Sequence, residues 1–163
     1  MDFREIETRG LVLLGCGQMG SAMLRGWLAT GLPPGAVHVL APRPSDGVRA
    51  QGVPINQPLP GSPAVVLVAV KPQMMAEALP ALAAMGGGAT LFVTVAAGTT
   101  ITTYERVLGA ATPVIRAMPN TPAAVGRGIS GTFGICASAA TTPAAQNTPA
   151  MPGTASAAGR GGA

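Results

Sequence analysis

Residues 11–20 read Leu-Val-Leu-Leu-Gly-Cys-Gly-Gln-Met-Gly, an apolar run that leads into three glycines with the spacing Gly-x-Gly-x-x-Gly. The apolar run has the length of a buried strand, and the residues that follow continue with helical spacing to Thr30. A strand, a glycine turn and a helix in this order are typical of the turn that binds the diphosphate of a dinucleotide. The predicted diphosphate site consists of the residues of this turn, Gly15, Cys16, Gly17, Gln18, Met19 and Gly20.

Each glycine of the turn has its own expected role. Gly15 permits the tight turn, Gly17 lets the backbone approach a pyrophosphate, and Gly20 allows close packing of helix against strand. The helix over residues 18–30 directs its unpaired N–H groups and its positive end at the phosphates. The alternative is a glycine turn that binds nothing, because the chain holds 23 glycines. The strand and helix on either side favour the dinucleotide site.

Strand and helix patterns alternate along the rest of the chain. Strands are predicted over residues 11–15, 37–41, 64–70, 90–96, 113–117 and 128–136, and helices over 18–30, 72–84 and 100–108. This alternation predicts an α/β fold with a Rossmann-like, doubly wound, mostly parallel sheet. We expect an N-terminal extension over 1–10, a single dinucleotide-binding domain over 11–138, and a low-complexity, disordered tail over 139–163.

Composition excludes several classes of partner. The net charge of +4 forms no basic cluster and aromatic residues make up only 3%, which argues against nucleic-acid binding. Two cysteines, Cys16 and Cys136, and one histidine cannot form a structural zinc site, so no metal is expected. Reduced thiols are typical of a cytoplasmic protein. The uncharged segment 78–103 is interrupted by Pro80 and by the glycines 86–88, which argues against a membrane span.

The end of the second predicted strand bears on the choice of cofactor. Sites for NAD carry an Asp or Glu there, which binds the ribose 2′-hydroxyl. Residues 40–45 read Leu-Ala-Pro-Arg-Pro-Ser, with no carboxylate before Asp46. Arg43 and Ser45 offer donors suited to a 2′-phosphate. We therefore expect NADP(H) rather than NAD(H), with NAD(H) kept as the second choice; the alternative is that Arg43 is an ordinary solvated loop residue.

Three further segments follow predicted strands. They read V-A-V-K-P-Q over residues 68–73, V-A-A-G-T-T-I over 95–101, and R-A-M-P-N-T-P-A-A-V-G-R-G over 116–128. With the glycine turn, and in this order, they closely resemble the N-terminal cofactor domain of the pyrroline-5-carboxylate reductase family, from about Leu11 to Ser138. The resemblance implies an NAD(P)H-dependent enzyme that transfers hydride to the C=N bond of 1-pyrroline-5-carboxylate and so produces L-proline.

The resemblance also implies roles for individual residues. Residues beside the cofactor would be Val70, Lys71 and Pro72 after one strand and Ala96, Ala97 and Gly98 after the next. Asn120 would approach the nicotinamide and position it or the substrate, because its amide offers both a donor and an acceptor. The alternatives from residue type alone are a structural Lys71 and an Asn120 that caps a turn.

The chain departs from the family after the cofactor domain. Family members continue into a helical domain that forms a homodimer and completes the substrate pocket, whereas residues 141–163 show no helical apolar pattern. We expect a truncated reductase that binds its coenzyme, is weak or inactive alone and does not dimerise. The alternatives are a non-catalytic NADP-binding module or remnant, and a related reductase that acts on another imine.

Overall fold

Within the residues that the computed structural model describes, 3–119 and 130–135, six strands form one sheet. They are β1 (Leu11–Leu14), β2 (Val37–Leu40), β3 (Val65–Val68), β4 (Leu91–Thr94), β5 (Val114–Pro119) and β6 (Ser130–Ile135). Their order is β2-β1-β3-β4-β5-β6, with the first five parallel and β6 antiparallel to β5. The predicted α/β fold with a mostly parallel sheet is confirmed.

The strand order reverses at β1: β2 lies on one side of β1, and β3 lies on the other. Leu14 pairs with Leu40 of β2 on one side and with Val68 of β3 on the other. A parallel bridge between Val39 and Ile55 adds one further pairing outside β2, at the place of the third strand in the order 3-2-1-4-5-6. Such a reversal leaves a crevice outside the carboxyl ends of the strands, where ligands of open α/β sheets bind.

Five α-helices lie among these strands in the described part of the chain. They are α1 (Arg4–Arg9), α2 (Gln18–Ala29), α3 (Asp46–Arg49), α4 (Met75–Ala78) and α5 (Ile101–Leu108), and 3₁₀ turns cover Pro34–Ala36, Pro72–Met74 and Leu79–Met85. Helix α2 agrees with its prediction to within one residue. Helix α1 lies inside the extension predicted over residues 1–10, to which the sequence assigned no structure. No helix among these residues is long and apolar enough to cross a lipid bilayer.

The single helix predicted over residues 72–84 is wrong. The segment divides into a 3₁₀ turn, the one-turn helix α4 and a second 3₁₀ stretch that begins at Leu79. Pro80 lies at the start of that second stretch. Proline has no N–H to donate and its ring collides with the preceding turn of an α-helix, so the tighter helix takes over there.

Helices cover both faces of the sheet, and alternate strand residues point to opposite faces. Val12, Val66 and Phe92 pack on one face, beneath α4, the second 3₁₀ stretch and α5. Leu13 and Val39 pack on the other face with Leu24 of α2. Because both faces are buried, the strands read as continuous apolar runs. Asn120, Cys136 and the predicted tail over 139–163 lie outside the described residues.

Candidate cofactor site

The glycine turn after β1 is shaped by its contacts with two other strands. Gly15 has a φ of +86°, and its N–H donates to the Leu40 carbonyl oxygen at 2.8 Å. A Cβ at position 15 would lie 2.7 Å from Val70 Cγ1 and 2.9 Å from the Ala69 carbonyl oxygen. Only glycine combines this φ with so little space. Gly15 therefore makes the predicted tight turn, and it does so where β1, β2 and β3 end.

The surroundings of the other two glycines differ. Gly20 is buried against the Gly15 carbonyl group, so its lack of a side chain lets α2 pack closely on the turn, as predicted. At Gly17 a Cβ would meet no atom within 4 Å, and both Gly17 and Gln18 are exposed. This open space lies at the start of α2, a helix of 12 residues whose first N–H groups have no intrahelical partner.

A serine that sequence reasoning missed fixes the middle of the turn. The Ser21 hydroxyl donates to the Cys16 carbonyl oxygen at 3.0 Å and lies 3.5 Å from the Cys16 Sγ. Both side chains are buried. Burial raises the pKa of the Cys16 thiol, which outweighs the opposing effects of the Ser21 hydrogen bond and the Arg25 charge. Cys16 is therefore a neutral packing residue at neutral pH, and its backbone rather than its thiol belongs to the turn.

The end of β2 carries the polar residues expected from the sequence. Ala41 is buried, and Arg43 and Ser45 are exposed in the loop that leads to α3. Asp46 is the first residue of α3, so no carboxylate lies between β2 and that helix. Among the described residues, the Arg43 side chain forms no hydrogen bond or ion pair that would occupy its guanidinium group.

Asn56 holds this strand end, although no sequence pattern indicates such a role. Its side-chain oxygen accepts the Ala41 N–H at 3.0 Å, and its side-chain nitrogen donates to the Ala41 carbonyl oxygen at 2.8 Å. The backbone of Asn56 is left-handed, with a φ of +51°, and its N–H donates to the Val39 carbonyl oxygen. Asn56 thereby extends the pairing of β2 with a side chain and fixes the path of the loop that carries Arg43.

A largely apolar cleft of about 260 Å³ opens at the carboxyl ends of β1, β2 and β3. Its apolar wall includes Leu14, Leu40, Ala41, Val70, Met74 and Ala78. Asn56 and Glu77 supply polar atoms at its edge. The cleft thus lies at the strand reversal and beside the glycine turn, and an apolar slot of this kind suits a flat aromatic ring.

The residues predicted after β3 separate into two groups. Val70 lines the cleft and lies against Gly15. Lys71 and Pro72 are exposed and are not part of the cleft wall. The Lys71 side chain makes no hydrogen bond or ion pair within the described residues, whereas its carbonyl oxygen accepts the Met74 N–H at the start of a 3₁₀ turn.

Buried hydroxyl groups support the turn after β4 from its core side. The Ala96 N–H donates to Thr94 Oγ1 at 3.2 Å, and that oxygen lies 2.5 Å from the Tyr104 Oη. Ala96 is buried, Ala97 and Gly98 are exposed, and Gly98 has a φ of +76°. The turn therefore presents backbone rather than large side chains at the same edge of the sheet as the glycine turn.

Two further predictions for the site concern Asn120 and metal binding. Asn120, the residue expected to position nicotinamide or substrate, lies outside the described residues. Within residues 3–119 and 130–135, no three His, Cys, Asp or Glu side chains come together in a group that could hold a metal ion.

Residues 10–98 match the model of a protein family described as NADP oxidoreductase, coenzyme F420-dependent. The pyrroline-5-carboxylate reductase of Pasteurella multocida is 32% identical over 138 residues, which are 78% of this chain and 50% of that protein. The Escherichia coli enzyme of the same name is 35% identical over 124 residues, 72% of this chain and 46% of that protein. The chain thus spans about half the length of the curated relatives it matches.

The fold is also similar to solved structures. A pyrroline-5-carboxylate reductase from Coxiella burnetii superposes with a TM-score of 0.71 and 28% identity, over 81% of this chain and 52% of that one. The pyrroline carboxylate reductase of Plasmodium falciparum superposes with a TM-score of 0.67 and 22% identity, over 79% of this chain and 49% of that one.

Proposed function

We propose, because this chain belongs to the family described as NADP oxidoreductase, coenzyme F420-dependent, that it binds NADP(H) and reduces 1-pyrroline-5-carboxylate to L-proline. The name shared by its relatives supports the substrate, and the family supports the coenzyme. The observation that carries the proposal is the contrast among the three glycines. At Gly15 and Gly20 neighbouring protein atoms leave no room for a side chain, whereas at Gly17 a side chain would meet no protein atom.

The residues of the turn fit a diphosphate. In the proposed complex, the N–H groups at the start of α2 donate to the phosphate oxygens, and the positive end of the helix dipole favours the negative charge. The open space at Gly17 lets the backbone come close enough for these bonds. Ser21 keeps the Cys16 carbonyl group turned inward, so that no carbonyl oxygen of that residue faces the phosphates.

The adenosine half has a matching site at the end of β2. The apolar cleft takes the adenine ring between Leu14, Ala41 and Val70. Arg43 and Ser45 bind the 2′-phosphate, which an exposed guanidinium group can contact through two parallel hydrogen bonds. The Plasmodium falciparum structure, which shares the fold, was solved with NADP bound.

The proposed reaction requires the protein mainly to position the coenzyme and the imine. When bound, NADPH supplies the hydride, and a protonated cyclic imine is already a strong electrophile. The contribution of this chain is to hold the two partners at reacting distance and to exclude competing orientations. In the proposal the backbone of the Ala96–Gly98 turn and the side chain of Asn120 lie at the nicotinamide end, and Lys71 contacts the cofactor from the end of β3.

A second candidate is a module that binds NADP(H) without reducing an imine. The observation that favours it is that the site residues which the structure describes, the glycine turn and Arg43 among them, are all assigned to the coenzyme in the proposal and none of them to the imine. In this form the protein is cytoplasmic, a location that the free thiol of Cys16 favours. An assay of NADPH turnover with 1-pyrroline-5-carboxylate separates the two candidates.

The coenzyme is tested by titration with NADPH and NADH while following Trp27 fluorescence and the melting temperature. We expect NADPH to bind more tightly than NADH. Arg43→Ala should weaken NADPH binding by roughly tenfold, the value of a charge-assisted hydrogen bond, and leave NADH binding unchanged. If neither coenzyme alters the fluorescence or the melting temperature, the proposed function is wrong.

A further inference from the structure

A pair of buried hydroxyl groups lies under the turn that follows β4. Tyr104 of α5 and Thr94, the last residue of β4, are both fully buried, and their hydroxyl oxygens are 2.5 Å apart. The same Thr94 oxygen accepts the Ala96 N–H at 3.2 Å. A chain of hydrogen bonds therefore runs from the core helix α5, through the end of β4, to the backbone of the turn.

The tyrosine hydroxyl is not needed to fill the core. Tyr104 packs among apolar side chains that include Phe92, Leu108 and Val114, where a phenylalanine ring would occupy the same space. A buried hydroxyl costs free energy unless it is hydrogen-bonded, and Thr94 supplies its partner. Burial raises the pKa of the Tyr104 phenol, so the group stays a neutral donor and acceptor at physiological pH.

Buried hydroxyl groups lie at both ends of the turn. Thr94, the partner of the phenol, precedes the turn, and Thr99, which follows it, is also buried. Between them, Ala97 and Gly98 are exposed, and Gly98 has a left-handed φ of +76°. A short exposed turn with such a residue needs support to keep one shape, and the buried hydroxyl groups lie where that support is required.

We propose that Tyr104 is a positioning residue which, through Thr94, holds the Ala96–Gly98 turn in the shape that receives the nicotinamide end of the coenzyme. This inference rests on the proposed function for the identity of the ligand. It assigns to α5 a part in coenzyme binding although Tyr104 itself is buried beneath the turn. The turn is thus set before the coenzyme arrives, which lowers the cost of binding.

The first experiment needs no coenzyme and uses amide hydrogen exchange of the full chain, read at Ala96 by NMR. Tyr104→Phe removes only the phenolic oxygen, and Thr94→Val removes the acceptor itself. We expect the Ala96 N–H to exchange about five- to tenfold faster in both variants, with Thr94→Ser, which keeps the hydroxyl, close to the unaltered chain. Unchanged exchange at Ala96 in Tyr104→Phe and Thr94→Val would overturn the inference.

The second experiment compares two ligands that differ only in the nicotinamide ring. These are NADPH and the 2′-phosphate of ADP-ribose, which carries the adenosine, the diphosphate and the second ribose. Tyr104→Phe should bind NADPH about fivefold more weakly and the shorter ligand as tightly as the unaltered chain does. A general loss of stability would weaken the binding of both ligands alike, and that result would overturn the inference. Equal NADPH affinity of Tyr104→Phe and the unaltered chain would also overturn it.

The two experiments separate this inference from the proposal on which it rests. If the unaltered chain binds neither ligand, the proposed function fails and the assigned role in coenzyme binding fails with it. The exchange rate at Ala96 still decides whether the Tyr104 hydroxyl supports the turn. If the unaltered chain binds both ligands and Tyr104→Phe discriminates between them, both conclusions stand.

Discussion

Gly20 lies so close to Gly15 that a Cβ at position 20 would be 2.5 Å from the Gly15 carbonyl oxygen. Contacts this short do not occur between real Cβ atoms and backbone oxygens. The start of α2 is therefore pressed directly on the end of β1, and the N–H groups of the helix are held at one distance from the strand ends. The geometry of the diphosphate site thus depends on a contact inside the protein.

Gly20→Ala should destabilise the protein by roughly 1–3 kcal/mol, because the helix must move away from the turn to admit a methyl group. The measurement is the free energy of unfolding from urea titration. Gly26→Ala is the matched control, since Gly26 lies in the same helix and a Cβ there would meet no atom within 4 Å. The control should be neutral or stabilising by up to about 1 kcal/mol. Equal stability of the two variants would contradict the prediction.

Gly17→Ala should have the opposite profile. Its φ of −73° suits alanine and the added Cβ meets no protein atom, so the unfolding free energy should stay within about 0.5 kcal/mol of the original. The methyl group would occupy the space through which a diphosphate approaches, and NADPH affinity should fall at least about tenfold. Calorimetric titration measures this. Tight NADPH binding by this variant would place the diphosphate elsewhere.

Asn56→Gly isolates the contribution of the side-chain amide at the end of β2. Glycine adopts the φ of +51° readily, so the change removes the two hydrogen bonds to Ala41 with little backbone strain. We expect a loss of about 1–2 kcal/mol in unfolding free energy. NADPH affinity should also fall, because Arg43 follows Ala41 in the loop. Gln57→Ala, at the exposed neighbouring position, serves as the control and should change neither quantity.

The parts of the fold that could be predicted are those specified by neighbouring residues. Runs of apolar residues located all five parallel strands to within one or two positions, and the glycine spacing located the turn and the start of α2. The prediction of a single helix over 72–84 was wrong because it gave the apolar spacing more weight than the proline at position 80. Pro80 decided the local structure there, because it cannot donate the N–H that a continuous α-helix needs at that position.

The residues that support the site could not be predicted, because their partners are distant or their types are common. Asn56 reads as an ordinary loop residue until its contact with Ala41, 15 positions away, is known. Tyr104 reads as a core aromatic residue, and only its distance from Thr94 reveals the hydrogen bond. A sequence pattern can locate backbone turns that approach a ligand. It does not identify the side chains that support those turns from within the protein.

Arg9 provides a test of the N-terminal helix. Its guanidinium group donates to the carbonyl oxygens of Ser62, Pro63 and Ala89, which precede β3 and β4. Arg9→Met keeps the apolar stem and should lower the unfolding free energy by about 1–3 kcal/mol, because three acceptors lose a charged donor. Glu5→Gln removes only the exposed ion pair at 3.5 Å and should cost less than about 1 kcal/mol. Equal losses of unfolding free energy in the two variants would show that other contacts hold α1 against the rest of the protein.

Cys16 makes stability depend on pH at the alkaline side. Burial raises the pKa of its thiol above the ordinary value of 9.0. Well below pH 9 the thiol is protonated in both the folded and the unfolded chain and contributes no pH dependence. As the pH rises above 9, the unfolded chain loses this proton first, so the unfolding free energy falls until the pH passes the folded-state pKa.

Cys16→Ser should therefore reduce the decline of stability above pH 9 while leaving the pH dependence below it unchanged. Cys136→Ser is the background for both proteins, so that only one thiol titrates. Urea unfolding at a series of pH values measures the slopes. In the same background, iodoacetamide should modify Cys16 in the folded chain far more slowly than in denaturant, because burial lowers both access and the thiolate fraction. Rapid modification of the folded chain, or equal alkaline slopes, would mean that the thiol is not held inside the turn.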